Sequence, residues 1–160
     1  MDTINLPLDI LSSLDLDLRN SSNIKKILGK FSNKIIINCF AYNNVEEAEN
    51  SKDAFEINHK GVEEIAKFCA DHKILLIHFS TDFVFDGKKN LYTESCLANP
   101  INNYGKSKLA GEQAIKKFCD KYFIIRTSWL YSHLETKNNF LNKQPYHLRY
   151  HLLLQVLVSL

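Results

Sequence analysis

Three short runs of apolar, mostly β-branched residues constrain the fold more than any other feature of the sequence. They span residues 34–40 (KIIINCF), 73–79 (KILLIHF) and 122–126 (YFIIR). Each run is nearly continuous rather than alternating, which is typical of parallel strands that are buried on both faces. We therefore predict three strands of one parallel sheet.

Helical patterns separate these runs. Residues 24–31 place apolar side chains three and four positions apart, and residues 21–23 offer capping side chains. We predict two further helices over about 52–71 and 102–119. The order α-β-α-β-α-β predicts a doubly wound parallel sheet, which is a Rossmann-like α/β fold. The last ten residues, HLLLQVLVSL, fit a helix or a strand equally well.

Composition excludes several classes of protein. The net charge of +2 and the scattered Lys and Arg residues argue against a nucleic-acid partner. The sequence has no run of 18 apolar residues and no basic, apolar leader, so we expect neither a membrane span nor a signal peptide. Its four cysteines form no CxxC pair, which predicts free, buried thiols in a reducing cytoplasm.

Tyr104 and Lys108 form the strongest chemical motif, YGKSK. Residues i and i+4 of a helix lie on one face, so the phenol and the ammonium would point the same way. A nearby cation favours the phenolate and lowers the pKa of a tyrosine toward the range useful for proton transfer. By itself, however, the motif favours a solvated helix surface over a catalytic pair.

A second candidate, Ser80-Thr81-Asp82, follows the second predicted strand. Ligands of open α/β sheets bind beyond the carboxyl ends of the strands, where a hydroxyl can stabilise developing negative charge on a carbonyl oxygen. The alternative is a turn or a helix cap without a catalytic role.

Two longer blocks carry a family resemblance. STDFVFDGKKNLYTES followed by NPINNYGKSKLAGEQAI resembles the dTDP-4-dehydrorhamnose reductases of the extended short-chain dehydrogenase family. INCFAYNNVEEAEN and RTSWLY resemble further segments of that family, in the same order. The resemblance covers about residues 15–131, and we predict that residues 1–131 form a partial NAD(P)-binding domain.

The resemblance implies a reaction and a set of roles. The reaction is reduction of dTDP-4-dehydro-L-rhamnose to dTDP-L-rhamnose, a precursor of cell-surface polysaccharide, with hydride from NADPH or NADH. Tyr104 would donate a proton to the keto oxygen, and Lys108 would bind the nicotinamide ribose. The other implied contacts are to the substrate by Thr81, Asp82 and Trp129, and to the cofactor by Asp17, Leu18, Ala41, Tyr42 and Asn43.

Both ends depart from the family pattern. The five glycines form neither GxGxxG nor GxxGxxG, so we expect the first strand and its glycine-rich turn to be missing. Residues 132–160 are expected to be an aberrant tail in place of a substrate-binding domain. The resemblance also implies a homodimer in some full-length relatives.

Other residues receive structural interpretations. Asn58 lies on the apolar stripe of the second helix and is predicted to be a buried structural amide. His147 and His151 lack a third ligand, so we expect no metal site. The alternatives for function are a decayed fragment, a non-catalytic relative, and another reductase or epimerase of nucleotide sugars.

Overall fold

A computed structural model describes residues 9–32 and 34–128 of the protein and the backbone of a strand at 156–159. Its sheet has four strands in the order β1-β2-β3-β4. The strands are β1 (Ile35–Asn38), β2 (Leu75–Thr81), β3 (Tyr122–Thr127) and β4 (Val156–Ser159). The first three strands are parallel, as predicted, whereas β4 pairs antiparallel with β3.

Three helices follow the predicted order, one before β1 and two between the parallel strands. They are α1 (Ser21–Leu28), α2 (Asp53–Phe55, continued by Glu56–Gly61 and Val62–Asp71) and α3 (Asn103–Phe118). The middle part of α2, Glu56–Gly61, is a π-helical turn, which its apolar stripe did not indicate. The cap of α1 is Asn20 rather than residues 21–23, since its side chain accepts a hydrogen bond from the Asn23 backbone N–H.

The helices and one face of the sheet enclose the main core. Ile24, Ile65 and Ile115 come from the three helices and meet Leu76 and Ile124 of the sheet, each at most 3% exposed. Burying a side chain of this size stabilises the fold by about 1.5–3 kcal/mol. This core aligns α2 and α3 along the strands, so that their ends reach the carboxyl edge of the sheet.

The opposite face of β1 is uncovered within the described ranges. Ile35 and Ile37 are 50% and 54% exposed, although Ile36 between them packs against the core. The described helices thus form one layer, whereas the doubly wound pattern predicted a helical layer on each face. The parallel, Rossmann-like sheet is confirmed, and the second layer is not among the residues that the structure describes.

The second strand ends later than predicted. Lys73, with φ 57°, forms a turn instead of starting the strand, and Ile74 is buried before the strand begins. At the other end the parallel ladder with β3 continues through Thr81, which pairs with Thr127. Ser80 and Thr81 are therefore the last residues of β2, and the turn begins at Asp82.

Candidate active site

Polar side chains gather at the carboxyl ends of the strands. Thr81 ends β2 and Asp82 follows it, Thr127 ends β3, and α3 contributes Tyr104 and Lys108. Together they line a cleft of about 300 Å³. The structure thus brings the two sequence motifs into one site.

The start of α3 positions Tyr104. Asn102 caps the helix, since its side-chain oxygen accepts a 2.7 Å hydrogen bond from the Gly105 backbone N–H. This cap starts the helix beside the Asp82–Val84 turn and puts the tyrosine in the first helical turn. The Tyr104 ring contacts Phe83 edge-on, with centroids 5.6 Å apart.

Gly105 allows this close approach. A Cβ atom added there would lie 2.2 Å from the Phe83 carbonyl oxygen and 3.0 Å from the Cβ of Pro100. Only glycine therefore lets α3 pack directly on the turn that follows β2.

The Tyr104 phenol is nearly buried, being 9% exposed. Burial raises its pKa, a hydrogen bond with the Thr81 side chain lowers it, and the charge of Asp82 raises it again. The lowering by Lys108 that the motif predicted is not found, because other groups set the ionisation of the phenol in this structure. The hydrogen bond to Thr81 does support a shared role for these two hydroxyls.

Lys108 is 1% exposed, and its ammonium donates a 2.7 Å hydrogen bond to the Phe79 carbonyl oxygen. Burial lowers the pKa of Lys108 to about 8, while the Glu112 carboxylate and Cys39 act to raise it. An ammonium has three donors. The Phe79 bond uses one of them, which leaves donors for ligand hydroxyls in the cleft.

Thr81 and Asp82 contact each other at the mouth of the site. The Thr81 hydroxyl donates to the Asp82 carboxyl at 3.3 Å and accepts from the Phe83 backbone N–H at 3.2 Å. Burial raises the pKa of Asp82. Part of the interpretation as a turn is therefore correct, since Thr81 caps the short helix, yet its hydroxyl also reaches Tyr104.

The loop after β1 forms the opposite wall of the cleft through Ala41 and Asn43. Asn58 holds this loop in place. Its side-chain oxygen accepts from the Tyr42 backbone N–H at 2.8 Å, and its amide nitrogen donates to the Tyr42 carbonyl at 3.1 Å and to Ser107 at 3.0 Å. Asn58 is fully buried with its amide fully bonded, which agrees with the structural role predicted for it.

Three of the predicted contacts lie elsewhere. Tyr42 packs with Ala48 and Ala54 in a small cluster beside the cleft. Leu18 belongs to the main core, and the Asp17 carboxylate binds Arg19 at 2.8 Å. None of these three residues lines the cleft. Trp129 lies outside the described residues.

Several site features were missed from the sequence. Cys39, predicted to be buried, is exposed at the cleft because it follows the end of β1. The carboxylate of Glu112 and the guanidinium of Arg126 form a buried ion pair at 2.5 Å beneath the site. The sequence offered one signal for this ion pair, since each partner is a charged residue inside a predicted helix or strand. No group of three metal-ligating side chains occurs in the described part of the chain, and His147 and His151 lie outside it.

The side chains of the cleft suit one part of a nicotinamide cofactor. Lys108 and Tyr104 fit the nicotinamide riboside end, since the ammonium keeps free donors and both side chains line an open cleft. A pyrophosphate cradle requires glycine at a strand-to-helix turn. The described glycines serve packing or turns instead, as Gly61 on Leu18 and Gly111 on Asn58 illustrate. The described residues thus fit one half of such a cofactor.

A Thr-Tyr-Lys set at the carboxyl edge of a parallel sheet defines an α/β protein of the short-chain dehydrogenase kind. Residues 5–151 match the model of the RmlD substrate binding domain. This chain therefore belongs to that family. The match extends at both ends beyond the stretch 15–131 that the sequence motifs indicated.

Individual relatives agree with this assignment. The chain is 38% identical over 131 residues to a dTDP-4-keto-6-deoxy-D-glucose reductase of Streptomyces niveus, covering 80% of this chain and 46% of that protein. It is also 38% identical over 128 residues to a dTDP-4-dehydrorhamnose reductase of Aggregatibacter actinomycetemcomitans, covering 79% and 43%. The chain thus spans less than half the length of these curated relatives.

Solved structures show the same likeness. The dTDP-4-dehydrorhamnose reductase of Bacillus anthracis, crystallised in complex with NADP, has a TM-score of 0.78 and 39% identity. That match covers 83% of this chain and 47% of the crystallised one. These figures confirm the Rossmann-like fold predicted from the order of elements.

Proposed function

We propose that this chain carries the carbonyl-reducing site of an NAD(P)H-dependent reductase of dTDP-linked 4-keto-6-deoxy sugars. The observation that supports the proposal is the meeting of Thr81, Tyr104 and Lys108 in one cleft at the carboxyl edge of the sheet. The substrate we propose is dTDP-4-dehydro-L-rhamnose, the substrate that the names of several relatives imply. The product then serves the synthesis of surface polysaccharide.

The chemistry divides between the cofactor and the chain. A bound nicotinamide would supply the hydride for the carbonyl carbon. Tyr104 donates the phenol proton to the carbonyl oxygen, so the ketone gains one hydride and one proton and becomes an alcohol. The Thr81 hydroxyl holds the carbonyl oxygen beside the phenol and stabilises the charge that develops there.

Lys108 acts on the cofactor side of the cleft. Its free ammonium donors bind the ribose hydroxyls, and Ala41 and Asn43 lie along the same wall. A bound cofactor and substrate would exclude water from the cleft and strengthen the interaction between ammonium and phenol, because charges interact more strongly at low dielectric. Under those conditions Lys108 would oppose the effect of burial on the Tyr104 pKa.

The wider setting is also a proposal. The four cysteines, Cys39, Cys69, Cys96 and Cys119, are all free thiols, which favours the cytoplasm. Among the described residues, no helix has the length and apolar character needed to cross a membrane. We propose that the protein forms a homodimer. We also propose that Trp129 contacts the sugar of the substrate.

Two measurements test the function. Nicotinamide fluorescence should report saturable NADPH binding that is weakened in Lys108→Met and unchanged in Lys106→Met, an exposed lysine of the same helix. Oxidation of NADPH by dTDP-4-dehydro-L-rhamnose should fall about 100- to 10,000-fold in Tyr104→Phe. The matched control, Tyr122→Phe, removes a hydroxyl at the opposite end of the sheet. Near-normal turnover of Tyr104→Phe would remove this residue from the proposed role.

A further inference from the structure

A buried carboxylate lies directly beneath the cleft. Glu112 is 1% exposed and sits on α3. Its Oε1 accepts hydrogen bonds from Ser80 Oγ at 2.6 Å and from Arg126 Nε at 2.9 Å, and its Oε2 accepts from Arg126 Nη2 at 2.5 Å. Glu112 therefore joins β2, β3 and α3, the three elements that carry the site.

The same carboxylate faces a second cation. Lys108 lies four residues earlier on the buried face of α3, and Tyr104 four residues before that. Side chains four apart on a helix are neighbours at about 5–6 Å between Cβ atoms. Glu112 is thus flanked by a guanidinium that it binds directly and by an ammonium within Coulombic reach.

The remaining groups around Lys108 carry little charge. Partial desolvation at the cleft wall raises the pKa of the Cys39 thiol, and burial with the Lys108 charge lowers the pKa of His78 well below its usual value, so both are neutral at pH 7. The Tyr104 phenol is neutral as well, since burial raises its pKa. Asp82 acts on Tyr104, whereas the charged group that favours the ammonium of Lys108 at pH 7 is the Glu112 carboxylate.

We propose that Glu112 is a positioning residue, the shared counter-ion of Arg126 and Lys108, which keeps Lys108 as an ammonium below the cleft. Only the catalytic benefit of this arrangement rests on the proposed function. Without the carboxylate, the buried Arg126 has no counter-ion, and two uncompensated cations lie beneath the same strand ends. The repulsion between these cations would be relieved by deprotonation of Lys108, because arginine does not deprotonate in proteins.

The size of the effect follows from Coulomb's law. An opposite charge within about 4–6 Å shifts a pKa by about one to three units. Replacing Glu112 by Gln should therefore lower the titration midpoint of Lys108 by about one to two pH units from its value near 8.

The test is an NMR titration of the intact chain labelled with [13C]lysine, with the Lys108 signal assigned from Lys108→Arg. Glu112→Gln should lower the midpoint by the expected amount, whereas Glu112→Asp should restore most of it by returning the charge. The control is Glu63→Gln, which removes a carboxylate that binds Lys67 on α2. A folded Glu112→Gln chain with an unchanged Lys108 midpoint would overturn the proposal.

A second variant separates a failure of the chain to fold from a failure of the proposal. If Glu112→Gln does not fold, Glu112→Gln combined with Arg126→Met removes both buried charges, a change that proteins often tolerate. This double variant should show a smaller fall of the Lys108 midpoint, and no fall would again overturn the proposal. The titration needs neither cofactor nor substrate. A shifted midpoint in a chain without turnover therefore refutes the reductase function but not the role of Glu112.

Discussion

Replacing Gly105 by alanine tests the packing that places Tyr104 in the site. The added Cβ would lie 2.2 Å from the Phe83 carbonyl oxygen, and a backbone atom cannot turn aside as a flexible side chain can. Carbon and oxygen must separate by about 1 Å to reach an ordinary contact. The start of α3 and the Asp82–Val84 turn would therefore move apart.

The magnitude follows from this displacement. Overpacking a tight contact costs about 1–3 kcal/mol, which lowers the melting temperature of a chain of this size by about 2–12 °C. The displacement also separates the Tyr104 phenol from the Thr81 hydroxyl. A misplacement of about 1 Å in a reacting group reduces turnover about 100-fold.

Thermal unfolding by circular dichroism and turnover with NADPH measure these two effects separately. Lys106→Ala is the control, because it changes an exposed residue in the same helical turn. Its free energy of unfolding should stay within about 0.5 kcal/mol of the wild type. A Gly105→Ala chain that matched the wild type in melting temperature and turnover would refute the argument from close packing.

Two further substitutions have defined outcomes. Lys108→Met should remove a pH dependence of stability. Folding buries Lys108 and lowers its pKa from 10.5 to about 8. Between these two pH values Lys108 is therefore protonated in the unfolded chain and neutral in the folded chain. The free energy of unfolding of the wild type should therefore rise relative to the variant, by about 3 kcal/mol from pH 8 to 10.5 in urea titrations; parallel pH profiles would contradict this. Asn58→Leu leaves the Tyr42 backbone N–H and C=O without their partner and removes one of the two hydrogen bonds of the Ser107 hydroxyl. Because two backbone groups lose their hydrogen bonds, it should cost about 2–4 kcal/mol in the same assay and weaken NADPH binding, and unchanged binding would show that the loop holds its shape without the amide.

The strands and helices were predictable because each is encoded by local pattern. Continuous β-branched runs located β1 and β3 to within about two residues, since only buried strands have that composition. The end of β2 was not predictable in this way. Its last two residues are Ser80 and Thr81, which are polar, and they extend the strand only because β3 offers partners beside them.

The site was predictable only as far as its motifs reach. Helix geometry and the strand-end rule made Tyr104, Lys108 and Thr81 candidates, the family resemblance selected them, and their catalytic roles stay predictions. The bond between Glu112 and Arg126 joins a helix to a strand 14 residues later, and local spacing does not predict such a pair. The ionisation of Tyr104 likewise depends on burial, which a motif does not report.

The π-helical turn of α2 limits how the length of this helix can change. Each residue of an α-helix advances the chain by about 100° around the axis. Deleting one residue from Glu56–Gly61 would let α2 close into a regular α-helix, and it would rotate Asn58 away from the Tyr42 loop while Val62–Asp71 kept its place in the core. Over evolutionary time the gene can exchange amino acids within this turn, but selection for the site would fix the number of its codons.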